Sequence, residues 1–344
     1  MTVVRNEFER AGSSPDRAVW EARSALAFPN HGYGRPTIGN RSDIENVNIE
    51  RLQAFYKTWY RPDNMVLVVS GRFDAAETLV HIQSVFGVLK NPSTPIPKIY
   101  TREPVQDGVR ESVIRRAGTE VITLIGWRGA PRGHRDDAVL DVIANALANK
   151  GGGRFKTEIE KSGLGTKVSA GHGSQLQYGT FDVSLRVNDA AKLGEVQTVL
   201  LKHIADIAQS GVTAEELAPA QTAAVTSFEE SKRNAEGFGA SLAESAAGGD
   251  WRLGFWYQDN MRDVTIADTL RAAKDYFVDA NRVRVSFVPE ANPVRAADPL
   301  PVPLADYIAK PVLNPSAANF APLERFEPTI AEIDKRAVRS VLKS

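Results

Sequence analysis

Apolar residues run through this chain in two rhythms. In "TFDVSLRV" (Thr180–Val187) and "RVRVSFVP" (Arg282–Pro289) they fall on every second position, the spacing of a strand with one face buried. In "IERLQAFYKTWY" and "DDAVLDVIANALANK" they recur every three or four positions, the stripe of a helix with one apolar side. Over the middle of the chain these periods predict strands at 111–116 and 120–127, a helix over 135–148, a glycine-rich turn in "NKGGGRF" and a short helix to Lys161. Strands at 166–170 and 180–187 follow, then long helices over 190–210 and 214–248. Several strands read as antiparallel, and no glycine fingerprint for a dinucleotide follows the first of them. The fold class is α+β.

One pattern occurs twice. "ENVNIERLQAFYKTWYRPDNMVLVVSG" (Glu45–Gly71) aligns without a gap on "RDVTIADTLRAAKDYFVDANRVRVSFVP" (Arg262–Pro289) at an offset of 217. Val47 meets Val264, Trp59 meets Tyr276, Tyr60 meets Phe277, Asn64 meets Asn281 and Val66 meets Val283. Each copy has an N-cap residue (Asn48, Thr265), an amphipathic helix ending in an aromatic pair, a short link to Asn, and an alternating strand. Shared periodicity accounts for the apolar matches, but not for the aromatic pair and the Asn at one fixed offset. The chain therefore reads as duplicated domains. Applying the offset to a second copy that starts near residue 111 puts the start of the first copy about 105 residues before Met1. The opening "MTVVRNEFER" agrees: Val3, Val4 and Phe8 form a helical apolar face with no cap before it, and Glu7 falls opposite Ala224 in the second copy. The expected organisation is 1–90 as the C-terminal part of a first domain truncated at its N-terminus, 91–110 as linker, 111–290 as a second domain, and 291–344 as a proline-rich linker leading to a further half. Nine prolines lie from Pro289 to Pro328, and "IDKRAVRSVLKS" beyond them alternates like a new strand.

Composition narrows the chemistry. Lys+Arg and Asp+Glu both number 42, so net charge gives no footprint for nucleic acid. There is no cysteine, which excludes disulfides, thiolate metal sites and thiol nucleophiles. No apolar run approaches the ~20 residues that span a bilayer. The five histidines, His31, His81, His134, His172 and His203, never fall three or four apart, so no helix can present a two-His clamp, and each reads as a surface or packing residue. Neither G-x-S-x-G nor a P-loop occurs.

The assembled segments resemble the insulinase/pitrilysin family of zinc metallopeptidases, which includes mitochondrial processing peptidase. The resemblance is carried by "VVRNEF", "FPNHGYGRPTIG" with "SDIENV", "FYKTWYRPDNMVLVVSGRFD" and "VFG", then by "SGLGTKVSA" and "SGVTAEELAPAQTAAV". It covers nearly the whole chain in family order and is closest to an internal segment of the long four-domain bacterial members. It implies duplicated α+β domains facing each other as a clamshell around a peptide. The active domain of such proteins carries His-x-x-Glu-His on its first long helix, and a Glu about seventy-five residues later completes the zinc site. The two His and the remote Glu hold Zn²⁺, an open position holds water, and the motif's own Glu is the general base.

By this resemblance Glu7 matches the remote zinc-ligand Glu, and the His-x-x-Glu-His segment falls before Met1. No catalytic residue is then expected in this chain, no zinc bound to it, and no activity from it alone. The second copy lacks the motif and has Ala224 at the remote position. Where many members have a substrate-contacting Tyr and an Arg seven residues before it, this chain has Thr166 and Ile159. "NKGGGRF" sits where non-catalytic processing-peptidase subunits carry a glycine-rich substrate loop, and reads here as a flexible connection. The implied function is a segment of a zinc endopeptidase acting on peptides or unfolded polypeptides. Its remaining domains would be supplied in cis or by a partner subunit, with no nucleic-acid partner and no membrane span. The alternative is a non-catalytic scaffold or peptide-binding paralogue. Periplasm is the expected compartment, with cytoplasm as the alternative.

Overall fold

β2 is buried at nearly every position, as a strand covered on both faces must be, and the fold is built around it. The computed structural model describes residues 2–12, 14–149, 151–297 and 327–338. In chain order the elements are α1 (Thr2–Gly12), α2 (Pro15–Ala27), α3 (Arg41–Asn46), α4 (Ile49–Trp59), α5 (Ala75–Phe86), β1 (Arg110–Arg116), β2 (Val121–Gly129), α6 (Asp136–Ala148), β3 (Gly165–Ser174), β4 (Gly179–Val187), α7 (Leu193–Ser210), α8 (Ala214–Ser231), α9 (Ala235–Ala247), α10 (Leu253–Asp263), α11 (Ile266–Tyr276), β5 (Arg282–Pro289) and α12 (Ile330–Arg336). Met1–Pro293 forms one compact unit and Val294–Ser344 another.

The sheet order is β1-β5-β2-β4-β3, with β1 parallel to β5 and the other pairs antiparallel. Period-two alternation sends Val121, Ile125 and Trp127 to one face, where they meet Phe181, Val183 and Leu185 of β4 under α6, α7 and α11. Ile122 and Leu124 point to the other face with Val285 and Phe287. Their cover comes from the first copy: Val19, Ala22 and Leu26 of α2 pack there. Arg23 on the same helix reaches Asp182 and Thr180 of β4.

The seam between the copies is closed by a loop, the linker and a hairpin turn. Glu103 of the linker, itself buried, accepts the backbone N–H groups of Asn30 and His31, both at 2.9 Å. His31 Nδ1 accepts the Tyr33 N–H, which places its ring proton on Nε2, 2.5 Å from Gln177 Oε1. Phe28, His31, Tyr33 and Tyr178 pack edge-on or tilted around this joint.

The duplication is visible in detail. At the offset of 217, α4 and α11 coincide end to end, each eleven residues long, and both are followed by a 3-10 turn, Pro62–Asn64 and Asp279–Asn281. Asn64 Nδ2 donates to the Trp59 carbonyl at 2.9 Å, and Asn281 Nδ2 donates to the Tyr276 carbonyl at 2.9 Å. The Asn is shared because it closes the same turn at the end of the helix in both copies.

Four expectations change. Met65–Ser70 forms no strand: it pairs with no described strand, and Val66 and Leu67 are 66% and 55% exposed. The helix expected over 214–248 is two helices, because Asn234 accepts the Gly237 N–H and starts α9 anew after a break at Lys232–Arg233. "IDKRAVRSVLKS" does not open as a strand: Ile333–Arg336 belong to α12, capped by Thr329 through the Glu332 N–H, while 339–344 lie outside the described residues. Residues 298–326 of the proline-rich stretch, and Lys150 of the glycine-rich turn, also lie outside them. The short helix expected to end at Lys161 is present over residues 154–160 but is wound as a π-helix over Lys156–Glu160.

Candidate functional site

Glu7 sits near the middle of α1 and is exposed to solvent. At the offset of 217 its counterpart is Ala224 on α8 of the second copy. There Ala224 lines a cavity of about 300 Å³ opposite α6, together with Asp141, Ala144, Asn145, Ala148 and Ala220. In the second copy, then, the helix of the expected zinc motif and the helix of the remote ligand do converge. What they bring together is alanine, one asparagine and one carboxylate. No imidazole enters, so this pocket cannot hold zinc by the family's donor set.

Among the described residues, one group of His, Asp and Glu has donor atoms within 4.8 Å of one another: Asp137, Asp141 and His172. Asp137 and Asp141 lie four apart on α6 and share a face. His172 lies on β3 with its ring stretched over the glycines of neighbouring strands: a Cβ on Gly129 or Gly179 would collide with Nε2. Its Nδ1 is 3.0 Å from Asp137 Oδ1, and Ser174 Oγ donates to Asp137 Oδ2 at 3.0 Å. The Tyr257 hydroxyl, from α10, donates to Asp141 Oδ2 at 2.6 Å. Burial pushes the Asp141 carboxyl up to about 6, against the lowering effect of that hydrogen bond. Burial beside Asp141 likewise raises the Tyr257 phenol.

This arrangement is a hydrogen-bonded network rather than a ligand set. A metal on Nδ1 would displace the proton shared with Asp137 and leave an N–H on Nε2, which is buried and without a partner. The residues therefore do not fit the zinc that the family resemblance implies, and among the described residues Glu7 belongs to no cluster of three such donors. The other histidines are placed as packing or surface groups. His31 sits in the seam, His81 is exposed, His134 is half-exposed beside Asp136, and the buried His203 packs on Phe155 and reaches Glu158. Thr166 is exposed at the start of β3, while Ile159 is fully buried, so these positions offer no Tyr–Arg contact to a substrate. Sequence reading missed the Asp137–His172 contact, although the i,i+4 carboxylates on α6 were a signal for it.

The network borders a second cavity of about 230 Å³, which shares Asp141 and Tyr257 with the Ala224 pocket and is lined also by Arg132, Glu244 and Trp256. Arg132 is committed there, to the Glu244 carboxylate and carbonyl and to the Ser174 carbonyl.

Comparison with known proteins gives these features a context. Residues 46–224 match the family described as peptidase M16 inactive domain. The chain is 23% identical over 284 residues to zinc protease PqqE of Helicobacter pylori, covering 81% of this chain and 64% of that protein. A crystal structure of a protease from Helicobacter pylori superposes with a TM-score of 0.79 at 21% identity, over 84% of this chain and 70% of that one. The first half of the periplasmic protease PqqL from Escherichia coli superposes with a TM-score of 0.65 at 16% identity, over 84% and 65% of the two chains. The chain thus spans less than two thirds of the PqqE relative. No helix among the described residues is long and apolar enough to cross a membrane.

Proposed function

The chain belongs to the peptidase M16 family, and from that premise we propose that it is the non-catalytic portion of a zinc endopeptidase acting on peptides in a chamber between facing domains. In this reading 1–90 is the rear of the catalytic-type domain, 91–110 a linker, 111–290 the whole of a non-catalytic domain, and 291–344 the connection to a further half. Glu7 is the third zinc-ligand position. The two histidines and the general-base Glu come from a His-x-x-Glu-His segment that this sequence does not contain, supplied in cis or by a partner subunit.

The inequality of the two copies carries the reading. β5 is flanked by β1 and β2, whereas its counterpart Met65–Ser70 is apolar on both faces and pairs with no described strand. The same offset places Glu7 opposite Ala224, and Ala224 does face the helix where the motif would lie. The peptide substrate follows from the relatives' naming as proteases, and a periplasmic site of action from the Escherichia coli neighbour. A second reading, a scaffold or peptide-binding paralogue, is favoured by the alanine-lined pocket. A His-x-x-Glu-His in the coding sequence upstream separates the two.

The purified chain is expected to retain no stoichiometric zinc after dialysis and to leave fluorogenic peptides intact. Metal analysis and a peptide assay check both. One equivalent of zinc held by any of the five histidines, or hydrolysis abolished by a chelator, would overturn the assignment.

A further inference from the structure

α2 and α9 are counterparts. Each is thirteen residues long, and each starts at an N-cap whose side chain accepts the N–H three positions on, Ser14 from Arg17 and Asn234 from Gly237. α2 leaves its own copy to cover the sheet of the other: Val19, Ala22 and Leu26 pack there with Val285 and Phe287 of β5 and with Ile122 and Leu124 of β2. Counted from the start of each helix, the same stripe on α9 is Gly239, Leu242 and Ala246. It meets the first copy at the equivalent place. Ser70 is the counterpart of Phe287 and Gly239 of Val19, and a Cβ on Gly239 would strike the Ser70 side chain.

We infer that the two copies exchange helices, so that α9 is the seat for the sheet of the first copy and receives a strand lying antiparallel beside Met65–Ser70. This rests on the reading that the front of the first copy is supplied in cis or by a partner subunit. The second copy is the template for the occupant. Val283, Val285 and Phe287 stand on the α2 side of β5, so Val66, Val68 and Ser70 stand on the α9 side. Val68 is accordingly half-buried, while Leu67 and Val69 on the opposite side are 55% and 43% exposed. In the second copy the space between β5 and α2 is filled by β2, antiparallel to β5, with Leu124 opposite Val285 and Ile122 opposite Phe287. The strand that fits α9 is therefore one with apolar residues two apart, set opposite Val68 and Ser70 and turned to Leu242 and Ala246. Resting on α9 covers side chains but pairs no amide, which is why Met65–Ser70 lies against the second copy and still joins no described strand.

The chain has no cysteine, so a paired substitution reads the seat directly. A Cβ on Gly239 would lie 2.8 Å from the Ser70 Cβ, about 1 Å inside the span of a disulfide, a difference that an exposed segment can take up. Ser70→Cys with Gly239→Cys should lose both thiols on mild oxidation, and Leu67→Cys with Gly239→Cys should keep them. Hydrogen exchange at 65–70, in the chain alone and in the chain extended upstream by its own coding sequence, reads the occupant. Extension should slow exchange there by about a hundredfold or more. Gly239→Leu should return most of that rate, and Ala240→Leu, on the exposed side of α9, should not. Zinc content of the same samples reports on the catalytic reading separately: a protected segment without zinc supports the helix exchange alone. Thiols that stay free in the Ser70–Gly239 pair, zinc bound with 65–70 unprotected, or protection indifferent to Gly239→Leu would each overturn the proposal. So would protection in the chain alone that rises with its concentration, because a second copy of the chain would then hold the seat.

Discussion

Replacing Arg23 by Leu is expected to destabilise the chain by about 3–5 kcal/mol, the range for removing one member of a buried ion pair. Arg23 leaves α2 of the first copy and enters the sheet of the second. Its Nε donates to Asp182 Oδ1 at 2.7 Å and its Nη2 to Thr180 Oγ1 at 2.6 Å, with a second contact to Asp182 and Trp20 stacked at 4.8 Å. Burial holds the Asp182 carboxyl above its ordinary range even with this partner. Gly126 on the neighbouring strand leaves the space the carboxylate occupies, since a Cβ there would strike it. Removing the guanidinium leaves a buried carboxylate that has lost its ion-pair partner and keeps only the Thr180 hydroxyl and the more distant His172 in its favour. Urea unfolding followed by circular dichroism measures the loss. Combining Arg23→Leu with Asp182→Leu should restore most of it, because the cost lies in the stranded charge. A single variant as stable as the parent would mean that α2 does not seal this face in solution.

The second large effect is pH-dependent and opposite in sign. Asp141→Asn is expected to stabilise the fold by about 2–3 kcal/mol above pH 6, the linkage value for a carboxyl raised by roughly two pKa units. The folded-state carboxyl at about 6 lies above the ordinary 3.8 of an aspartate. The folded state therefore binds the proton more tightly than the unfolded chain. Wild-type stability falls as pH rises from about 4 to 6, and the variant does not share that fall. Below pH 4 both proteins should unfold at the same denaturant concentration. A constant difference across pH would assign the effect to packing instead of titration.

How much of this could be read from residues alone depended on where the cover for each segment comes from. The second copy was legible because its strands and helices bury against one another: β1, β2, β4 and α6 begin and end within two residues of where periodicity places them. Asn64 and Asn281 were legible as equivalents because a turn of fixed geometry demands the same side chain. Met65–Ser70 has a strand's pattern without a strand's neighbours, and the pattern records only what the segment is suited to. Docking of α2 onto the far face of β5 was invisible because nothing in a helical stripe names its partner. The break before α9 was missed for a smaller reason: Asn234 suits a helix start, but the apolar period runs on across it. At the candidate site, the absence of a zinc motif on α6 was plain in the sequence. The link between Asp137 and His172 needed the sheet, which brings together residues 35 positions apart.

The central claim is that the first copy is a partial duplicate of the second, with Glu7 at a zinc-ligand position whose partners come from elsewhere. Hydrogen exchange at the two equivalent strand segments tests it most directly. Val283–Val288 sits between β1 and β2 and should exchange only with global unfolding. Met65–Ser70 should exchange at close to the rate of unstructured chain, or gain protection only as the protein self-associates through its exposed apolar segment. Equal protection of both segments in a monomer would show that the first copy completes its own sheet, and would contradict the assignment of Glu7 along with the duplication account on which it rests.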